Sequence, residues 1–124
     1  MKLYHAAPKE TMMEILADGE LKPGIDGVVY LAGPLPAHAA MFIALRGAKE
    51  IWAVEIDSDE LDPEKLEESS DHAAAFFPED LEAFAYDGTI EIGDNEMWRF
   101  YWLALLDGSA PMGSPSTDRI SRSS

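Results

Sequence analysis

Three side chains in this 124-residue sequence stand where chemistry could be done: His5, Tyr30 and Glu82. A histidine can carry or accept a proton near neutral pH. A carboxylate can act as a base, and a tyrosine offers a flat ring with a hydroxyl at its edge. Each also has an ordinary explanation. A strand histidine is usually a hydrogen-bonded structural residue, a tyrosine inside Gly27-Val28-Val29-Tyr30-Leu31-Ala32 is usually core, and a glutamate opening a strand is usually solvated. Several other chemistries lack their motifs. There is no Gly-rich phosphate loop followed by Lys-Ser or Lys-Thr, no dinucleotide fingerprint, no nucleophile elbow and no paired-histidine zinc helix. His5, His38 and His72 are isolated and lack ligand spacing, so no metal is expected. With no cysteine, a disulfide framework, a thiol nucleophile and a cysteine-ligated metal are excluded.

The elements that would carry these residues follow from periodicity and breakers. Residues 2–6 read as a strand with Leu3 and His5 on one face and Tyr4 on the other. Pro8 opens a helix with Met12, Ile15 and Leu16 along an apolar face, and Gly19 stops it. Residues 21–24 read as a turn. Residues 27–32 are β-branched and aromatic, hence a strand broken by Gly33-Pro34. A second helix runs from Pro36 to about Arg46, packing through Ala40, Ile43 and Ala44, with His38 on its surface and Gly47 at its close. Residues 50–56 alternate as a strand buried on both faces at its centre. Residues 57–71 form an acidic connection with one helical turn at 63–66, and residues 73–77 a further turn ended by Pro78. Residues 81–86 are a strand with Leu81, Ala83 and Ala85 opposite Glu82, Phe84 and Tyr86. Asp87-Gly88 turns the chain, 90–92 extends it briefly, and the aromatic run 97–106 closes the domain. The aromatics Trp98, Phe100, Tyr101 and Trp102 read as core or interface. This order, with strands dominating after the second helix, favours α+β. One domain over residues 1–108 is expected, followed by a flexible Ser- and Pro-rich tail over 109–124.

Hydrophobic residues make up 47% of the chain, enough for a core without a metal or disulfides. No leader and no run of about 18 apolar residues is present, so neither secretion nor membrane insertion is expected and the cytoplasm is the default location. The formal charge is −15, which repels phosphate backbones and disfavours nucleic acid as a partner.

Three segments together resemble the ADP-ribosyltransferase superfamily, in a small prokaryotic or phage form. Leu3-Tyr4-His5-Ala6-Ala7-Pro8, the helix after it and Gly19-Glu20-Leu21-Lys22-Pro23-Gly24 are similar to the family's opening. Gly27-Val28-Val29-Tyr30-Leu31-Ala32 and the small-residue helix behind it are similar to the second block. Leu81-Glu82-Ala83-Phe84-Ala85-Tyr86-Asp87-Gly88 is similar to the third. The likeness spans about residues 2–92. It implies a compact split β-sheet core with two short helices and a His5-Tyr30-Glu82 triad. His5 would hold a ribose hydroxyl, Tyr30 would stack on nicotinamide, and Glu82 would stabilise the cationic sugar as nicotinamide leaves. NAD would be the substrate, contacted also by Ala6, Lys9 and Lys22, with Arg46 a further candidate for the diphosphate. The implied activity is NAD-dependent ADP-ribosyl transfer or NAD glycohydrolysis, with a protein among the candidate acceptors. Two alternatives stand beside it: a silent NAD- or ADP-ribose-binding pseudoenzyme, and an acidic protein-interaction module or inhibitor without NAD chemistry. Ala7, where the family often has Ser or Thr, and the few nearby cations weigh toward the silent form. Asp80, Asp87 and Glu91 compete with Glu82, and His72 lies in the loop before it.

Overall fold

The computed structural model describes residues 1–25, 27–44, 46–68, 81–101 and 118–120. The chain is α+β. Its first strand, β1 (Lys2–Pro8), runs directly into helix α1 (Lys9–Asp18), with Pro8 at the N-cap position. Gly19 ends the helix in the left-handed region (φ 75°), and its N–H reaches back to the Ile15 carbonyl at 2.9 Å. The short strand β2 (Glu20–Leu21) follows, then β3 (Val29–Gly33) and helix α2 (Pro36–Ala44). Strand β4 (Glu50–Asp57) leads through a 3-10 turn at Ser58–Glu60 to β5 (Leu66–Glu68). After it come β6 (Glu82–Tyr86), β7 (Ile90–Glu91), β8 (Met97–Tyr101) and β9 (Asp118–Ile120).

Among the described residues seven strands form one sheet in the order β5-β6-β3-β1-β4-β8-β9, and every neighbouring pair is antiparallel. β2 and β7 pair separately. Alternation along the strands sends side chains to two distinct cores. On the α1 side, Leu3, Leu31, Val54, Ile56 and Met97 pack with Met12 of the helix. On the α2 side, Tyr4, Ala6, Ala32 and Ala53 meet Ala37, Ala40 and Ala44, with Ile51 and Phe100 filling the margin. The two cores differ in kind. Large residues fill the α1 side, whereas alanine faces alanine beneath α2, and small side chains let a helix backbone sit close to a sheet. Leu3, Ile51 and Met97 are fully buried, each contributing about 1.5–3 kcal/mol of hydrophobic stabilisation.

Several expectations are revised. Leu21, expected to open the turn over 21–24, instead ends a two-residue strand with Glu20, held by register pairs Glu20↔Glu91 and Leu21↔Ile90. The second helix ends at Ala44, two residues early, because Arg46 and Gly47 hydrogen-bond back to Ile43 and Ala44 in a tight turn. His38 is not on the helix surface: it is fully buried, and its Nδ1 accepts the Leu35 N–H at 3.1 Å. In the C-terminal segment expected to be mobile, Asp118–Ile120 pairs with Met97–Arg99. The turn at 73–77, His72, Asp80 and Trp102 lie outside the described residues. Among the described residues no helix is long and apolar enough to cross a membrane.

Gly33 marks the tightest approach near the candidate site. A Cβ there would stand 2.8 Å from the Lys2 carbonyl oxygen and 3.3 Å from a Leu3 methyl. The nearer atom is backbone and cannot swing aside. Gly33→Ala is expected to destabilise the fold by about 1–3 kcal/mol, read as a lower denaturant midpoint at unchanged slope. An unchanged midpoint would mean that β1 and β3 part easily at this point.

Candidate functional site

The two neighbours of β1 hold it very differently. With β4 it pairs along its whole length, from Lys2↔Asp57 to Pro8↔Ile51. With β3 it shares one pair, Tyr4↔Ala32. One residue past that pair, a side chain takes over from the backbone ladder: His5 Nδ1 lies 2.8 Å from the Tyr30 carbonyl oxygen. A carbonyl can only accept, so Nδ1 carries the proton and donates. Nε2 is then the ring's lone-pair nitrogen, and it makes no hydrogen bond among the described residues. Burial pushes the His5 pKa below the ordinary 6.5, and the Tyr30 carbonyl opposes that shift in part. At neutral pH His5 is therefore an uncharged imidazole in one tautomer, oriented by a backbone group and offering Nε2 as an acceptor.

His5 and Tyr30 thus meet through the Tyr30 carbonyl. The side chains leave their strands in different directions. His5 shares its side of β1 with Leu3 and Ala7, in the α1 core, whereas Tyr30 shares its side of β3 with Ala32, in the α2 core. The Tyr30 ring is 51% exposed. Glu82 opens β6 opposite Gly33 and is exposed. Alternation puts it with Phe84 and Tyr86 on the α1 side, the side of His5. Two strand spacings and two residues separate the pair, about 12 Å between Cα atoms, a gap that a ligand would have to span. Of the other expected contacts, Ala6 is buried under α2 and offers a ligand backbone only. Lys9 Nζ sits 3.9 Å from Glu50, and Lys22 Nζ lies 3.9 Å from Asp18 and 3.7 Å from Glu20. Asp87 and Glu91 are exposed. No group of three or more His, Asp or Glu that could hold a metal occurs among the described residues.

No family model, curated protein or solved structure matches the chain. What the site can do has to be read from its own side chains.

One polar group went unnoticed in the sequence. On the α2 side the Tyr4 hydroxyl donates to Glu55 at 3.0 Å, and the Tyr4 ring meets Trp98 edge-on at 5.5 Å. Lys2 Nζ bridges Glu55 and Asp57 at 3.7 and 3.5 Å. Burial, the Glu55 hydrogen bond and its charge all push the Tyr4 hydroxyl upward, so it stays protonated. The signal was present in the alternation of β4, which puts Glu55 on the same side as Ile51 and Ala53, but nothing local says that Tyr4 lies across from it. With its donor committed to a carboxylate, Tyr4 anchors the sheet and has no proton to give a ligand. Phe100 is buried and Tyr101 is 47% exposed, so the aromatic run divides between core and surface.

The depressed pKa of His5 ties the site to stability. As pH falls through 6.5 the unfolded chain binds the proton before folded His5 does, so the stability is complete above that value and is lost as pH drops toward the folded pKa. Wild type is expected to lose melting temperature between about pH 7.5 and about pH 5.5, and His5→Asn to lose less over the same interval. Equal slopes for the two proteins would show that His5 does not titrate differently on folding.

Proposed function

We propose that the chain binds NAD at the β1–β3 seam and breaks its nicotinamide–ribose bond, passing ADP-ribose to an acceptor or to water in the cytoplasm. The scaffold would then be of the ADP-ribosyltransferase kind. The observation that carries this reading is His5: a neutral imidazole whose tautomer is set by a backbone carbonyl, which leaves Nε2 as the nitrogen that accepts. A sugar hydroxyl is the donor such a group suits, whereas a charged imidazolium would have nothing to accept with. When the C–N bond breaks, its electron pair leaves with nicotinamide and the ribose carbon becomes cationic. A carboxylate fixed nearby lowers the energy of that state, and Glu82 is the candidate on the His5 side of the sheet. The incoming nucleophile, a water or a protein side chain, gives up a proton as it bonds to the ribose carbon, and Glu82 can take it.

Two placements favour a second reading, in which NAD or ADP-ribose binds without turnover. The Tyr30 ring lies on the α2 side, away from where His5 would hold the ribose, and Glu82 is solvated about 12 Å from His5. One experiment separates the two. Incubating the full chain with NAD should release nicotinamide, Glu82→Gln should slow release by about a hundredfold or more, and His5→Ala should weaken NAD binding. A thermal shift with NAD but no release establishes the silent binder. Neither release nor shift removes NAD from the account.

A further inference from the structure

An open cavity of about 630 Å³ lies between the start of α1 and the turn that joins α2 to β4. Its charged lining is Lys9, Arg46, Lys49, Glu10 and Glu50. Three of the chain's nine Lys and Arg therefore converge on one hollow in a protein of charge −15. Their states differ. Lys9 is held 3.9 Å from Glu50, whose carboxylate also accepts the Trp52 indole N–H at 2.9 Å. Arg46 and Lys49 are exposed and form no ion pair among the described residues. The turn that carries Arg46 is fixed by the Arg46 N–H to the Ile43 carbonyl and the Gly47 N–H to the Ala44 carbonyl, and Arg46 and Lys49 both line the cavity. In a chain with 24 acids, two cations that pair with no carboxylate among the described residues join Lys9 to give this hollow three positive side chains against two lining acids, Glu10 and Glu50.

We infer that this cavity binds the phosphate group of a small molecule, with the Arg46 guanidinium and the Lys49 ammonium as its ligands. A guanidinium presents paired N–H groups that match two phosphate oxygens, and an ammonium supplies a compact second charge. Lys9 stays engaged with Glu50 and sets one wall. The inference does not rest on the NAD reading: Lys9 and Arg46, candidate NAD contacts there, line this cavity, but Pro8 at its edge is three residues, about 10 Å, beyond His5 along β1.

Calorimetric titration of the full chain with orthophosphate, pyrophosphate and AMP tests it and shows whether a free anion or a nucleotide phosphate is taken. Saturable binding of at least one of the three is expected. It should weaken about tenfold or more in Arg46→Gln/Lys49→Gln, persist in Lys65→Gln and in His5→Ala, and fall as salt rises. Both substituted positions are exposed, so the double variant should keep the wild-type melting curve. No saturable binding of any of the three, or equal binding by the double variant, overturns the inference. Loss of nicotinamide release in His5→Ala with pyrophosphate binding intact would show that the two sites fail separately.

Discussion

The hydrogen bond from His5 Nδ1 to the Tyr30 carbonyl stands where the sheet changes character. On one side of β1 the ladder to β4 is complete; on the other, β3 touches it at Tyr4↔Ala32 and then depends on a side chain. The bond gives the Tyr30 carbonyl a partner that the backbone ladder does not supply, and it fixes the tautomer of the imidazole. The same bond therefore does two things. It satisfies a strand carbonyl that the backbone has left, and it prepares a neutral acceptor nitrogen beside that strand. Any ligand that engages Nε2 inherits this orientation without paying to create it.

The remainder of the architecture keeps β1 still. Its side chains feed both cores, Leu3 and Ala7 on the α1 side and Tyr4 and Ala6 on the α2 side. Close alanine packing under α2 leaves little room for the strand to shift, and Tyr4, clamped between Glu55 and Trp98, resists rotation next door to His5. Gly33 permits the near contact with Lys2 that brings β3 alongside. Stability and site geometry thus share residues. A substitution in β1 that loosens packing is expected to degrade the imidazole's orientation before it unfolds the domain.

Much of this was legible in the residues. Alternation in 50–56 announced a strand and its continuous apolar centre announced burial on both faces there, and β4, flanked by β1 and β8, has Ala53 and Val54 both buried. Gly19 announced the end of α1, and the 81–86 pattern put Phe84 and Tyr86 on one side of their strand, where both are buried. Other features were not legible, for physical reasons. A two-residue strand such as β2 has no period, so its pairing with β7 depends on a chain segment some seventy residues away. The sequence Pro36-Ala37-His38-Ala39-Ala40 has almost no polar contrast, because alanine tolerates either side of a helix, so nothing in it marks His38 as buried. Alternation in 27–32 says that Tyr30 opposes Leu31, but not which of two cores lies on which side. The order of His5, Tyr30 and Glu82 along the chain was therefore visible, while the side of the sheet that each side chain occupies was not. Nor could spacing reveal that Arg46 and Lys49 open on one cavity while Lys22 is engaged by Asp18 and Glu20.

The state of the His5 ring is the point on which the site depends. Long-range proton–nitrogen NMR on the labelled chain at about pH 7 reads it directly, since the two ring nitrogens resolve when one tautomer dominates. The account predicts a neutral ring with a pyrrole-type, protonated Nδ1 and a pyridine-type Nε2. A proton found on Nε2, or a ring already charged at that pH, would contradict it: Nδ1 could not then be tied to the Tyr30 carbonyl while Nε2 waits to accept.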